Sequence, residues 1–369
     1  MTVADVTTRT AAEAVTAADA DPFVARVAHY AETVLRPTAL ETDRTGVDAE
    51  RIAEFSRNGL LNHAASAQFG GAGIDRGGDR RLHEILSGAC FNTWLVWAQH
   101  APIVGRLTET LAKGTELPEI GYEILRGRVL LGAAVSDVRR FPRHYIAATR
   151  TSGGWTFSGT VSWVSGWGLN TVLTVAAVEA STGTVVTALV PVGDRTRAEP
   201  LGLSAVAGSR TEQVVLDDVE VPDVNVIGTE PLSDWRNTDL GTSSDARAHH
   251  FGLAESVLRE LEQTRNQLAG DVAAAWRPRV AQLRTDAYAL ADEAQATRDG
   301  RHRIGERLAT KAASGEALTT LTRALVVARA GHGIRLDDTA QLYARSALFV
   351  LVQGQTTDVR DAQLTRLAR

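Results

Sequence analysis

The spacing of apolar residues changes period twice along this chain, and that double change narrows the available folds more than any single motif. From Asp21 to about Arg126, segments such as FVARVAHYAETVL and RIAEFSRNGLLNHA repeat apolar residues every three or four positions, the spacing of amphipathic helices. From Val129 to about Ile227 the period is two. Val and Thr dominate TVLTVAAVEA, GTVVTALVPV and TEQVVLDDVEVP, and Gly, Pro, Asn or Asp stand at the joins. A small antiparallel β domain is expected there. From about Asp245 helical spacing returns in long segments, as in a bundle. The expected architecture is α+β: a mobile leader over residues 1–20, an N-terminal helical domain over 21–127, a middle antiparallel β domain over 128–228, a linker over 229–244 and a C-terminal helical bundle over 245–369. The chain, at 369 residues, is longer than one hydrophobic core usually organises, which fits several domains.

Charge and cysteine usage remove some function classes. A formal net charge of −5 gives no basic field for a phosphate backbone, so nucleic acid is not an expected partner. Cys90 is the single cysteine and has no partner for an internal disulfide; its apolar flanks (GACFNTWLVWA) read as a buried core thiol in a reducing cytoplasm. The leader lacks a basic region followed by an apolar run. No stretch approaches the roughly 18 apolar residues of a membrane span, so neither a signal peptide nor a span is expected.

The densest local signal is WTFSGTVSWVSGWG, residues 155–168. Its alternation predicts a half-buried hairpin with a turn at Ser158 and Gly159 and a second strand carrying Trp163, Val164 and Ser165. The segment resembles the flavin-facing hairpin of the acyl-CoA dehydrogenase family, in which the Trp packs beside the flavin ring and the hydroxyl residue two positions on reaches its reactive edge. The resemblance gives those parts to Trp163 and Ser165. Helical domain, β domain, helical bundle is also that family's order, so the resemblance covers most of the chain. GLLNHAASAQFGGAGI resembles the stretch in which a helix ends and a Gly-rich turn follows, and HEILSGACFNTWLVWAQHAP resembles the helix bordering the acyl pocket, with His100 near its end. Ser136 and Asp137 take the Thr and Glu places of a Thr-Glu-Pro-Gly segment that binds the flavin pyrimidine, although its Pro and Gly are missing. Gly331 and Gly333 match a Gly-x-Gly turn that contacts the flavin diphosphate of the partner subunit.

Two departures shape the expected chemistry. Gln353-Gly354 stands where the family has Glu-Gly, whose Glu removes the α-proton of the thioester in many members. An amide only donates or accepts hydrogen bonds and is no general base at neutral pH. Some relatives carry the base on the first helix of the last domain, where Glu255 is the candidate; a solvated pairing with Arg259 is its alternative. The family's Arg-x-x-Phe-Gly motif is not found in QLAGDVAAAWRPRVAQLR, where Pro278 between Arg277 and Arg279 suggests a different path. The resemblance therefore implies an FAD-dependent oxidoreductase, with an O2-using flavin oxygenase placed first. Its substrate is a CoA thioester or a small aromatic, and a flavin reductase or electron-transfer partner is a further expectation. The catalytic set is Ser165, His100, Gln353 and Glu255; the cofactor set is Ser136, Trp163, Ser165, Gly331 and Gly333; no metal is expected. A dehydrogenase using Glu255 and a non-catalytic scaffold remain alternatives. EALTTLTRALVVARA is apolar on more than one face, which suggests a homodimer or homotetramer through the last domain.

Overall fold

The computed structural model describes residues 11–368. The N-terminal part holds α1 (Ala11–Ala17), α2 (Pro22–Tyr30), α3 (Arg36–Thr45), α4 (Ala49–Arg57), α5 (Arg76–Ala89), α6 (Phe91–Ala112) and α7 (Glu119–Leu125). Short polar side chains start several of them. Asp21 accepts from the Phe23 amide at 2.7 Å, and Asp48 and Asp75 each accept at 2.8 Å from the third amide on, satisfying N–H groups that have no partner inside the helix.

The middle of the chain forms β1 (Leu131–Ala134), β2 (Ala147–Arg150), β3 (Gly154–Val164), β4 (Val172–Glu179), β5 (Thr184–Pro191), β6 (Thr196–Glu199), β7 (Glu212–Pro222) and β8 (Val226–Pro231). They make one sheet in the order β6-β7-β3-β2-β4-β5-β8, with β1 pairing β4 in parallel. Phe157, Val161, Val175, Val186 and Val214 fill its inner face. The last part holds α8 (Leu232–Ser243), α9 (Ala248–Gln263), α10 (Gln267–Thr297), α11 (Ile304–Arg329), α12 (Thr339–Val352) and α13 (Thr357–Leu367).

The two helical parts share one core, which runs from Val15 and Phe55 through Trp94 and Trp97 to Phe251, Tyr288, Leu318 and Val350. Its seam is the crossing of α5 and α9. A Cβ on Gly252 would stand 2.1 Å from the Glu84 carbonyl oxygen, and one on Gly88 would stand 2.6 Å from that of Gly252. Only glycine admits so close a backbone approach.

The structure corrects four expectations. Residues 155–164 belong to a single strand rather than a hairpin: the register against β7 shifts between Phe157 and Gly159, which marks a bulge. The Ser158 hydroxyl bonds Asp218 there, and Gly159 has φ +140 with the Tyr145 carbonyl oxygen 2.9 Å from where its Cβ would lie. The presumed leader is helical from Ala11, and Val15 is fully buried; residues 1–10 lie outside the described residues. Residues 229–244 complete β8 and form α8, whose Trp235 packs with Leu232 against Val138 and Ala176, so they are no linker. Pro278 lies inside α10, which continues through it. Among the described residues no helix is long and apolar enough to cross a membrane, and no group of His, Cys, Asp or Glu is arranged to hold a metal ion.

Candidate functional site

The end of β3 presents Trp163 and Ser165 in opposite ways. The indole of Trp163 is 46 % exposed, whereas Phe157, Val161 and Val164 on the same strand are fully buried. Ser165 is buried and starts a hydroxyl chain: its Oγ lies 2.8 Å from Thr211 Oγ1, which lies 2.7 Å from Ser209 Oγ, which donates to the Val206 carbonyl at 2.7 Å. Each hydroxyl has one hydrogen. Ser209 spends its hydrogen on Val206, so Thr211 donates to Ser209 and Ser165 donates to Thr211. The Ser165 oxygen is left as an acceptor only. Ser136 opens the helical turn at residues 136–140 and is half-buried. Beside it the buried Asp137 accepts from the Ser162 amide at 2.9 Å and from its hydroxyl at 2.8 Å, and pairs with Arg140, so this carboxylate fixes the turn to β3.

The loop after α12 carries Gln353 and Gly354. Gln353 caps α12, and its buried Oε1 has no hydrogen-bond partner. The next residue, Gly354, has φ +61, and the nearest atom to its would-be Cβ is Lys311 Nζ at 4.0 Å. Lys311, on α11, is 5 % exposed and donates to the Ser243 carbonyl at 2.6 Å. Burial, reinforced by Arg247 and Arg139, holds its ammonium down to about 7. Nothing in RLATKAASG marks this lysine as buried, and the sequence reading passed over it.

Glu255 does not face this loop. Arg277 holds both its oxygens at 2.8 and 3.0 Å on an exposed flank, and Arg277 also bonds Glu262, while Arg259 bonds Glu32 instead. The expected Arg259 partner is thus corrected to Arg277, and a carboxylate bound in this way on the outside of α9 is no base for the pocket.

His100 is likewise a framework residue. It is fully buried, its Nε2 lies 2.6 Å from the Leu61 carbonyl and its Nδ1 accepts from the Leu131 amide at 3.1 Å. A second ring proton would point at an N–H, and burial first of all holds this imidazole down to about 4. It belongs to a wider set that the sequence reading missed. His63 and His83 flank Trp97 at 5.1 and 4.6 Å between ring centres, Trp94 stacks on His249 at 4.6 Å, and His249 on His250 at 4.5 Å. Trp94 Nε1 donates to His83 Nδ1 at 2.9 Å. Burial depresses His83 to about 4, His250 to about 3 and His249 well below the usual range. Phe91 at the start of α6 touches His249 on α9 and Phe349 on α12, so the three helices meet beside the Gln353 loop. Gly166, following Ser165, packs against Val96 of the same α6.

Gly331 and Gly333 lie in the turn at residues 330–334 after α11, well apart in the chain from the Ser165 elements. His332 between them lines a cleft of about 630 Å3 together with Arg265, Asn266, Arg329 and Asp338. Arg329 has a buried Nε without a partner, and no ion pair is formed by Arg265 among the described residues. Arg265 opens Arg-Asn-Gln-Leu-Ala at the α9–α10 turn, which keeps the Arg of the sought motif and replaces Phe-Gly with Leu-Ala.

Residues 18–116 match the family described as acyl-CoA dehydrogenase, N-terminal domain. Similar solved structures include butyryl-CoA dehydrogenase from Megasphaera elsdenii, at 16% identity with all of both chains covered and a TM-score of 0.74. KijD3 in complex with FMN and a dTDP-linked amino keto sugar is 16% identical over 98% of this chain and 96% of that one, with a TM-score of 0.77. A glutaryl-CoA dehydrogenase from Mycobacterium smegmatis in complex with FADH2 is 18% identical over 94% and 93%, with a TM-score of 0.70. No sequence match was found among curated proteins.

Proposed function

We propose, from the premise that the chain belongs to the acyl-CoA dehydrogenase superfamily, that it is an FAD-dependent oxidoreductase whose reduced flavin meets O2, with a CoA thioester as its first-choice substrate. The observation that carries the reading is the direction of the hydroxyl chain. Ser165, on the position that would meet the reactive edge, is an acceptor, and reduced flavin presents an N–H at that edge where oxidised flavin presents a bare nitrogen. Trp163 offers an uncovered indole for the ring, and Ser136 lies near the β3 wall for the pyrimidine side. When bound, the flavin supplies the electrons. This chain's residues bind it, orient it and leave no side-chain carboxylate base in view: Gln353 is an amide and Glu255 is held by Arg277.

FAD is preferred over FMN because the cleft at residues 330–334 is lined by Arg265, His332 and Arg329, the last sharing its guanidinium with Glu260, groups suited to a diphosphate. Two similar proteins bear the names of FADH2 and FMN complexes, so either flavin is used in testing. A second copy of the chain would bring this cleft to the flavin diphosphate. The exposed apolar residues Leu268, Val327, Ile334, Leu348 and Leu364, all on the last helical part, support a homodimer or homotetramer assembled there.

The test is the absorption spectrum of purified protein, followed by oxygen uptake after anaerobic photoreduction. A flavin spectrum and uptake coupled to a product heavier by one or two oxygens are expected. A colourless protein that ignores added FAD and FMN overturns the reading. Stoichiometric bleaching by acyl-CoA without oxygen, lost in Glu255→Gln, would establish the dehydrogenase instead.

A further inference from the structure

Lys311 has the geometry of a group placed for use. It is buried on the face of α11 toward the Gln353-Gly354 loop, yet its single bond is to a backbone carbonyl, Ser243 O at the end of α8. The neighbouring acids are engaged elsewhere. Asp239 takes a two-pronged bond from Arg139, both arms 2.7 Å, and Asp245 accepts from Arg307 at 2.7 Å. The other charged or titratable neighbours are Arg247 before α9 and His249 and His250 on it, with Gln353 contributing an unpartnered amide oxygen from the α12 side. A buried ammonium without its own carboxylate is costly. A neutral amine here keeps one N–H on Ser243 and a free lone pair beside the loop in which the family's base would stand.

We propose that Lys311 is the proton-accepting catalytic residue of this site, taking the α-proton of an acyl thioester in place of the carboxylate missing at Gln353. The proposal rests on the functional reading above. In the step, the substrate C–H bond breaks, its electron pair stays on the substrate as the enolate, and the proton forms the third N–H of the Lys311 ammonium. The step is a proton transfer alone, with no change of oxidation state. The titration of the amine, with a midpoint near neutral pH, keeps a useful share of free base available in the working range.

The chain has two lysines, Lys113 and Lys311, so both can be followed at once. Whole protein labelled with 13Cε-lysine is titrated by NMR, the signals being assigned with Lys113→Arg. Lys311 is expected to titrate near neutrality. Gln353→Glu should move the Lys311 midpoint upward, because a carboxylate beside the amine favours its charged form. Butyryl-CoA is then incubated anaerobically with the protein in D2O and α-deuterium is read by mass spectrometry. Wild type should exchange; Lys311→Met and Lys311→Arg should each lose about 10²-fold or more, the latter while keeping a donor for Ser243. An ordinary midpoint for Lys311, no response to Gln353→Glu, or exchange that is absent in wild type or unaffected by Lys311→Arg overturns the proposal. Failure of the functional reading shows separately, as protein that binds no flavin while the lysine titration is still recorded.

Discussion

Acidification should unfold this protein well before its carboxylates titrate, because several histidines are buried in the neutral form. His83, His100 and His250 are held to about 4, 4 and 3, against an unfolded value of about 6.5. Their folded values are depressed, so below about 6.5 the unfolded chain binds more protons, and the stability present above that pH is lost as pH falls toward the folded values. Each group contributes about 1.4 kcal/mol per pH unit, so from about pH 6.5 to about pH 5 each removes about 2 kcal/mol and the three together about 6 kcal/mol. That is comparable to the whole stability of many domains, about 5–15 kcal/mol. Lys311, with a midpoint of about 7, is charged in both states through most of this window and adds little slope. Urea midpoints followed by the fluorescence of the buried Trp94 and Trp97 should therefore fall steeply between these pH values. His249, depressed still further, adds a fourth equal share, so His100→Gln, which cannot take the proton, should lower the slope by about a quarter whatever it does to stability at neutral pH. A flat profile in wild type, or an unchanged slope in His100→Gln, would refute the reasoning.

Trp163→Ala should reduce flavin occupancy after gel filtration, since it removes the uncovered ring surface beside the site; occupancy equal to wild type counts against the placement. Glu255→Gln should leave turnover nearly intact and change stability by less than about 1 kcal/mol, because the Arg277 pair is exposed. Arg265→Ala should weaken FAD binding more than FMN binding, measured by fluorescence quenching, and equal losses would remove the cleft from the diphosphate site. Thr211→Val should let Ser165 turn its hydrogen toward the ligand and so raise the affinity for oxidised relative to reduced flavin; an unchanged ratio would show that the hydroxyl chain does not meet the flavin edge.

Much of the fold was legible because period is a local property. The switch from three-and-four spacing to alternation and back located the β domain within a few residues of β1 and β8. The bulge at Ser158-Gly159 was not legible, since a Ser-Gly pair reads as a turn until the partner strand is known, and it is β7, through Asp218, that holds the segment extended. The linker expectation failed in a similar way: LSDWRNTDLGTS has weak amphipathicity, and α8 is fixed by Trp235 and Leu232 docking on the sheet. Among site residues, the amide at Gln353 could be read from its place in the chain. Glu255 could not be rejected, because its partner Arg277 lies on another helix. His83 and His249 reach Trp94 from two sides across helices far apart in sequence, and Lys311 on α11 is buried against the end of α8 and the Gln353 loop, neighbours that no single segment reveals.

Ser165 and Lys311 are alike in what they lack. The serine has spent its hydrogen on Thr211, and the lysine in its neutral form has a lone pair without a donor. Each is thereby a hydrogen-bond acceptor. On the proposed function, Ser165 favours a ligand that arrives with a hydrogen to give, as reduced flavin does, and Lys311 favours one with an acidic proton. A ligand with a bare lone pair at Ser165 would leave two buried acceptors opposed, at a cost of about 1–3 kcal/mol. That amounts to roughly a five- to hundredfold preference for the hydrogen-bearing form. The preference follows from a relay of three hydroxyls ending on the Val206 carbonyl, and it puts the selectivity of the site in the supporting turn at residues 206–211 as much as in the strand that faces the ligand.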